Sequence, residues 1–188
     1  MTKRSLSISC ILLLLIGYQV HAQGIPDNFR RLLLQNAMQF TMPPGFVSIP
    51  VVENGDVVYD FAIKSTTAKL EIRYRIWPMD KAMRSDPKRN WIYQTMVETM
   101  GLNISNGHVI ETRKYPEGDV KAEFGADGGV TGTVRTDSQF GRGYKVCMIS
   151  AIHKDNVGDA YAFFLCDDPN VLMKALFTDD VYHALKFR

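Results

Sequence analysis

Hydrophobic and polar positions alternate most cleanly along two neighbouring runs. Val57, Tyr59, Phe61 and Ile63 alternate with Val58, Asp60, Ala62 and Lys64; Leu70, Ile72, Tyr74 and Ile76 alternate with Glu71, Arg73, Arg75 and Trp77. Period two predicts strands with one apolar and one polar face. Folding the pair about Ser65–Ala68 sets Ile63 against Leu70, Phe61 against Ile72 and Tyr59 against Tyr74, with Asp60 opposite Arg73. A one-residue slip would turn every apolar side chain to water, so the register is specified to within two residues.

Further on, Tyr144–His153 and Ala160–Cys166 are apolar on both faces, the pattern of strands in the middle of a doubly covered sheet. Asp155-Asn156-Val157-Gly158 between them is a tight turn, so the two run antiparallel. A period near 3.6 marks the helices. Pro26–Met38 is one, with Leu32, Leu33, Leu34, Ala37 and Met38 apolar and Arg30 and Arg31 toward water. A second starts at Asp86 as N-cap with Pro87 at the first helical position. It carries Trp91, Ile92, Met96, Val97 and Met100 and stops at Gly101. Pro116–Phe124 is a short helix, and Asp168-Pro169 caps a closing helix or helix pair with Thr178 as a second cap. Phe40–Met42, Phe46–Val52, His108–Tyr115 and Val130–Arg135 read as strands, and Glu53–Asp56 as a turn. The sum is an α+β chain, an α/β/α sandwich whose central, mostly antiparallel sheet has helices on both faces.

The first 22 residues read differently. Lys3 and Arg4 precede the apolar run Ile11–Ile16, and Val20-His21-Ala22 offers a cleavage site before Gln23. This is the pattern of a secretory signal peptide, with an uncleaved N-terminal anchor as its alternative. The run is short for a membrane span, and no later stretch is long enough to be one. The reading gives a leader at 1–22 and a single domain at 23–188, in the periplasm or outside a bacterial cell. The whole chain has 22 Lys and Arg against 20 Asp and Glu, but cleavage removes Lys3 and Arg4 and leaves 20 against 20. No broad basic footprint for nucleic acid survives. The densest basic cluster, Lys81, Arg84, Lys88 and Arg89, is interleaved with Asp80 and Asp86 and reads as a solvated surface.

Phe40-Thr41-Met42-Pro43-Pro44-Gly45-Phe46, an aromatic strand running into Pro-x-Gly-aromatic, resembles the opening of PsbP-like domains. The later order is similar too: antiparallel strands, a long mid-chain helix, more strands, a closing helix. Gly143-Tyr144-Lys145 through His153–Asn156 into Ala160-Tyr161 is similar to small exported bacterial proteins of unknown role. The resemblance implies an α/β/α sandwich used for binding or assembly, usually without catalysis. It brings no functional residue with it.

Motifs for chemistry are sparse. His108, His153 and His183 have no metal-ligand spacing, no G-x-S-x-G elbow is present, and the glycines at Gly125–Gly132 and Gly141–Gly143 lead into strands rather than helix N-termini. Ser150 and His153 fall on opposite faces of one strand. No cofactor is implied. The expected function is an exported, non-catalytic module for a protein or small-molecule partner, contacted through loops holding Trp77, Arg142 and Tyr144. The alternative is a small exported hydrolase assembled from Asp127, Ser138, His153 and Asp155. A four-residue turn at Asp155–Gly158 would bring Cys147 opposite Cys166, Cβ atoms ~4.5–5.5 Å apart, for a disulfide or two buried thiols; a three- or five-residue turn breaks that alignment.

Overall fold

The computed structural model describes residues 24–80, 89–136 and 139–188. Residues 1–22, read as a leader, Lys81, Arg84 and Lys88 of the basic cluster, the Asp86-Pro87 cap and Ser138 lie outside the described residues. Nine strands and five helices follow in chain order among those described: α1 (Asp27–Gln35), β1 (Met38–Phe40), β2 (Phe46–Ile49), β3 (Phe61–Ser65), β4 (Leu70–Pro78), α2 (Arg89–Ile104), β5 (Thr112–Lys114), α3 (Glu117–Phe124), β6 (Gly128–Arg135), β7 (Val146–Lys154), β8 (Gly158–Cys166), α4 (Pro169–Leu176), α5 (Asp179–Tyr182) and β9 (Leu185–Phe187). Seven strands make one antiparallel sheet in the order β2-β3-β4-β8-β7-β6-β5, and β1 pairs with β9 in a separate ribbon. The α/β/α reading holds.

Two cores flank the sheet. One contains Phe29 and Leu33 of α1, Phe61, Ile63, Ile72, Tyr74, Met148 and Phe164 from the sheet, and residues of α3, α4 and the ribbon. The other packs Tyr93, Val97, Met100 and Ile104 of α2 against Ala62, Cys147, Ile149, Tyr161 and Phe163. Each large apolar side chain so buried contributes ~1.5–3 kcal/mol, which is why the sheet needs a cover on both sides.

Several expectations shift. The helix α1 buries Phe29 and Leu33 while Leu34 is exposed; Met38 has left the helix for β1 through Ala37 at φ 48°. In α2 the core stripe runs along Tyr93, Val97, Met100 and Ile104, and Trp91 is 76% exposed. Gly101 does not end α2, which continues to Ile104. A Cβ there would lie 2.8 Å from Ile110 Cγ2, so the glycine serves close packing. The β3–β4 register is two residues from the expected one: Phe61 faces Tyr74, Ile63 faces Ile72, and Ala62 rather than Asp60 faces Arg73. Asp60 instead accepts the Ile76 N–H at 2.8 Å. Asp168 caps α4 by accepting the Asn170 N–H, as expected. Thr178 stands before α5, its carbonyl accepting from the Val181 and Tyr182 N–H groups, while its hydroxyl donates to the Lys174 carbonyl at 3.2 Å.

The β7–β8 hairpin differs by a single residue, with a large consequence. Lys154 pairs with Gly158 across three loop residues, Asn156 among them at φ 60°. Cys166 therefore faces Val146, and Cys147 faces Leu165. An odd offset in a period-two strand puts the cysteines on opposite faces of the sheet, one in each core. Both are free and buried, so no disulfide joins them.

Candidate functional site

At the sheet end where Leu70 meets Cys166, β4 carries an ion pair where the pattern placed a solvent face. Arg73 is 0% exposed, with Nε donating to Glu71 Oε1 at 2.7 Å and Nη2 at 2.6 Å from the same oxygen. Its Nη1 donates to the Phe140 carbonyl, and the guanidinium lies 4.5 Å from the Phe140 ring centroid and 5.0 Å from that of Tyr59. Phe140 N–H in turn donates to Asp56 Oδ2 at 2.8 Å. A buried ion pair gains little net stability against its desolvation, so its consequence is geometric: it anchors the 139–145 loop from beneath.

The same loop is tied down elsewhere. Thr136 Oγ1 donates to the Tyr144 carbonyl, and a Cβ on Gly141 would meet Thr136 Oγ1 at 2.7 Å. Tyr144 is hydrogen-bonded to Glu71; burial first and that carboxylate second push its hydroxyl up to about 12. Lys69 Nζ sits 2.5 Å from Asp167 Oδ2 and 3.5 Å from the Gly143 carbonyl. Arg142, exposed at the tip, adopts φ 45°. A left-handed conformation costs a non-glycine residue ~1–2 kcal/mol, and here an arginine holds it between two glycines.

Beside the loop is a groove of about 380 Å³ lined by Ile49, Pro50, Val52, Lys64, Lys69, Glu71, Arg142 and Tyr144. Arg73 neutralises Glu71, and Lys69 is paired with Asp167. Lys64 and Arg142 have no ion pair among the described residues, so the lining combines two uncompensated cations with the apolar Ile49, Pro50 and Val52.

The opposite end of the sheet gathers a histidine and three acids. His153, 2% exposed on β7, holds Asp159 Oδ1 at 2.7 Å through Nδ1 and Asp155 Oδ1 at 3.0 Å through Nε2. The Tyr93 ring stacks on it at 5.1 Å and 5°, and Asp127 Oδ2 accepts the Asp155 N–H at 2.9 Å. Burial works against a charged imidazole, but hydrogen bonds and charge from Asp159 and Asp155 outweigh it and raise the His153 pKa. With both ring nitrogens on carboxylates and one ring face under Tyr93, the imidazole has no nitrogen left to activate a nucleophile. It ties α2, the hairpin and the start of β6 together.

Of the residues singled out by pattern, Arg142 and Tyr144 share the groove, while Trp77 does not join them. Trp77 lies opposite Asp159, at the histidine end, with the Arg75 guanidinium 4.9 Å above its ring. That is ~20 Å of strand from Glu71. Asp127, His153 and Asp155 do converge. Ser150 is on the other face, bonded to the Tyr115 hydroxyl at 2.9 Å. Arg73, Glu71, Asp159 and Tyr93 were not singled out. The available signal was the Glu71-x-Arg73 pair, an opposite-charge i, i+2 couple on a single strand face. Among the described residues no group of three or more His, Cys, Asp or Glu could hold a metal ion, and no helix is long and apolar enough to cross a membrane.

No protein-family model matches the sequence, and no curated protein matches it significantly. Among solved structures the chain is similar to cyanobacterial PsbP (CyanoP) from Synechocystis sp. PCC 6803, with a TM-score of 0.50 and 13% identity over 81% of this chain and 88% of that one. At that identity the likeness is one of fold. The seven-stranded antiparallel sheet between helical layers is a PsbP-like fold.

Proposed function

We propose that the chain is an exported, non-catalytic binding module that meets its partner at the 139–145 loop and the groove beside it. The observation that carries this reading is Arg142, held in a costly backbone conformation on a loop braced from below by a buried ion pair. Strain maintained at an exposed tip is a mark of functional sites. The PsbP-like fold agrees with binding rather than catalysis, by analogy of fold. The leader at residues 1–22 supports delivery to the periplasm or beyond.

The hydrolase reading needs a nitrogen of His153 released from its carboxylate, which would undo the ties between α2 and the hairpin. Native mass spectrometry of the protein recovered from the exported fraction of its host tests the preferred reading. It should begin at Gln23 and carry a partner chain or small molecule in substoichiometric or full amount. Absence of the chain from the exported fraction would overturn export, and an unaccompanied chain there would overturn binding.

A further inference from the structure

We propose that the groove beside the 139–145 loop binds an acidic, valine- or leucine-bearing segment of a partner protein. The inference rests on the binding-module reading above and assigns its partner a chemistry.

Three observations set that chemistry. First, the charge is one-sided: Lys64 and Arg142 project at the rim without an ion pair among the described residues, and the buried Glu71 is already satisfied by Arg73 and Tyr144. An incoming carboxylate meets cations and no unneutralised acid, which favours acidic partners and penalises basic ones. Second, Ile49, Pro50 and Val52 make part of the lining apolar, and Val51 between them is 46% exposed. Such a lining suits a branched apolar side chain neighbouring the acid. Third, the groove crosses one face of the sheet end, lined by Ile49 of β2, Lys64 of β3 and Glu71 of β4 with Arg142 and Tyr144 of the loop beside them, so a segment laid across it meets the cations and the apolar residues together.

Arg142 supplies a clean test, because glycine is the residue its backbone conformation prefers. Arg142→Gly removes the cation while relieving the left-handed backbone, so the fold is retained. The probe is a short fluorescein-labelled peptide of alternating glutamate and valine, titrated with the mature protein and followed by fluorescence anisotropy. A peptide of alternating lysine and valine is the control.

The acidic peptide should bind saturably and the basic one should not. Arg142→Gly and Lys64→Ala should each weaken binding by about tenfold, the equivalent of ~1.4 kcal/mol. Raising the salt should weaken it further. The urea midpoint of Arg142→Gly should equal or exceed that of the parent protein. Equal binding of both peptides, or binding unaffected by the two substitutions, overturns the proposal. Cross-linking of the natively recovered complex separates the two levels of inference. A partner held at another surface overturns the acidic-segment assignment alone, and no partner at all overturns the binding module with it.

Discussion

His153 has a carboxylate at each ring nitrogen, and this arrangement makes its charge part of the fold. Its pKa is raised in the folded protein. In the unfolded chain it titrates near ~6.5. The cluster's contribution is therefore complete below the unfolded value and fades as pH rises through the higher folded one. Stability should fall on going from mildly acidic to alkaline solution. Urea unfolding across that range should show the fall, and His153→Gln should flatten it. An equal slope in the variant would mean that other groups carry it. The cysteines give a second check at the same scale. Burial raises the pKa of both Cys147 and Cys166, and they occupy opposite cores. Neither should react with a thiol reagent until the protein unfolds, and mild oxidants should leave the mass unchanged. The residues of this cluster are partly legible in the sequence: Asp127, His153 and Asp155 belong to the alternative hydrolase site named there. Asp159 is not legible in this way, because its inward direction depends on the hairpin's offset.

Among the elements, α2 depends on a glycine that sequence reading takes for its end. Ile110 is wedged between Gly101 of α2 and Gly132 of β6: added Cβ atoms would lie 2.8 Å and 2.7 Å from its side chain. Alanine at position 101 improves helix propensity by ~1 kcal/mol, but overpacking costs ~1–3 kcal/mol. Gly101→Ala should therefore be neutral to destabilising, and Ile110→Val should recover part of the loss in a double-mutant cycle. If Gly101→Ala were clearly stabilising, the wedge would not be tight. The strands show where periodicity runs out. In β3 and β4 the alternation named the buried face correctly, yet the pairing sits two residues along, since an even shift preserves the faces. In β7 and β8 both faces are apolar, so nothing in the pattern resists an odd shift, and the three-residue loop decides. Arg73 looked like a solvent-facing residue because alternation cannot report that α2 and the 139–145 loop cover the second face. Arg142 and Tyr144 were legible as loop residues, while the platform beneath the loop is made by segments remote in sequence: Asp56, Tyr59, Glu71 and Arg73.

At the scale of the whole molecule, the β1–β9 ribbon closes the core that contains α1, and no local pattern announces it. Each strand has three residues, too few for a period to emerge. The ribbon is nonetheless well fastened. Thr41 N–H donates to the Ala184 carbonyl and Arg188 N–H to the Ala37 carbonyl, both at 2.8 Å. Lys154 Nζ donates to the Gly125 carbonyl at 2.6 Å and lies 5.6 Å from the Phe187 ring centroid. Phe187 and Leu185 are buried with Met38 in the aromatic and aliphatic core that includes Phe29, which stacks on Phe61 at 4.7 Å. Phe187→Ala should cost ~3–5 kcal/mol. Domains hold ~5–15 kcal/mol in reserve, so the variant should still fold but with a lowered urea midpoint. How that loss is distributed tests whether the ribbon belongs to the same cooperative unit as the sheet. Leu165→Ala, in the sheet centre, should accelerate amide exchange everywhere, because its loss weakens the global state. If the ribbon opens separately, Phe187→Ala should speed exchange at Thr41 and Arg188 while the slowest amides of β4, β7 and β8 change less. A uniform acceleration in both variants would instead make the ribbon an integral part of the core. The groove lies at the sheet end on the face that α2 covers, supported by Arg73 and not by β1 or β9. Phe187→Ala should therefore leave peptide affinity at the 139–145 loop unchanged under conditions where the protein remains folded, and a parallel loss of affinity would show that the loop platform depends on both cores.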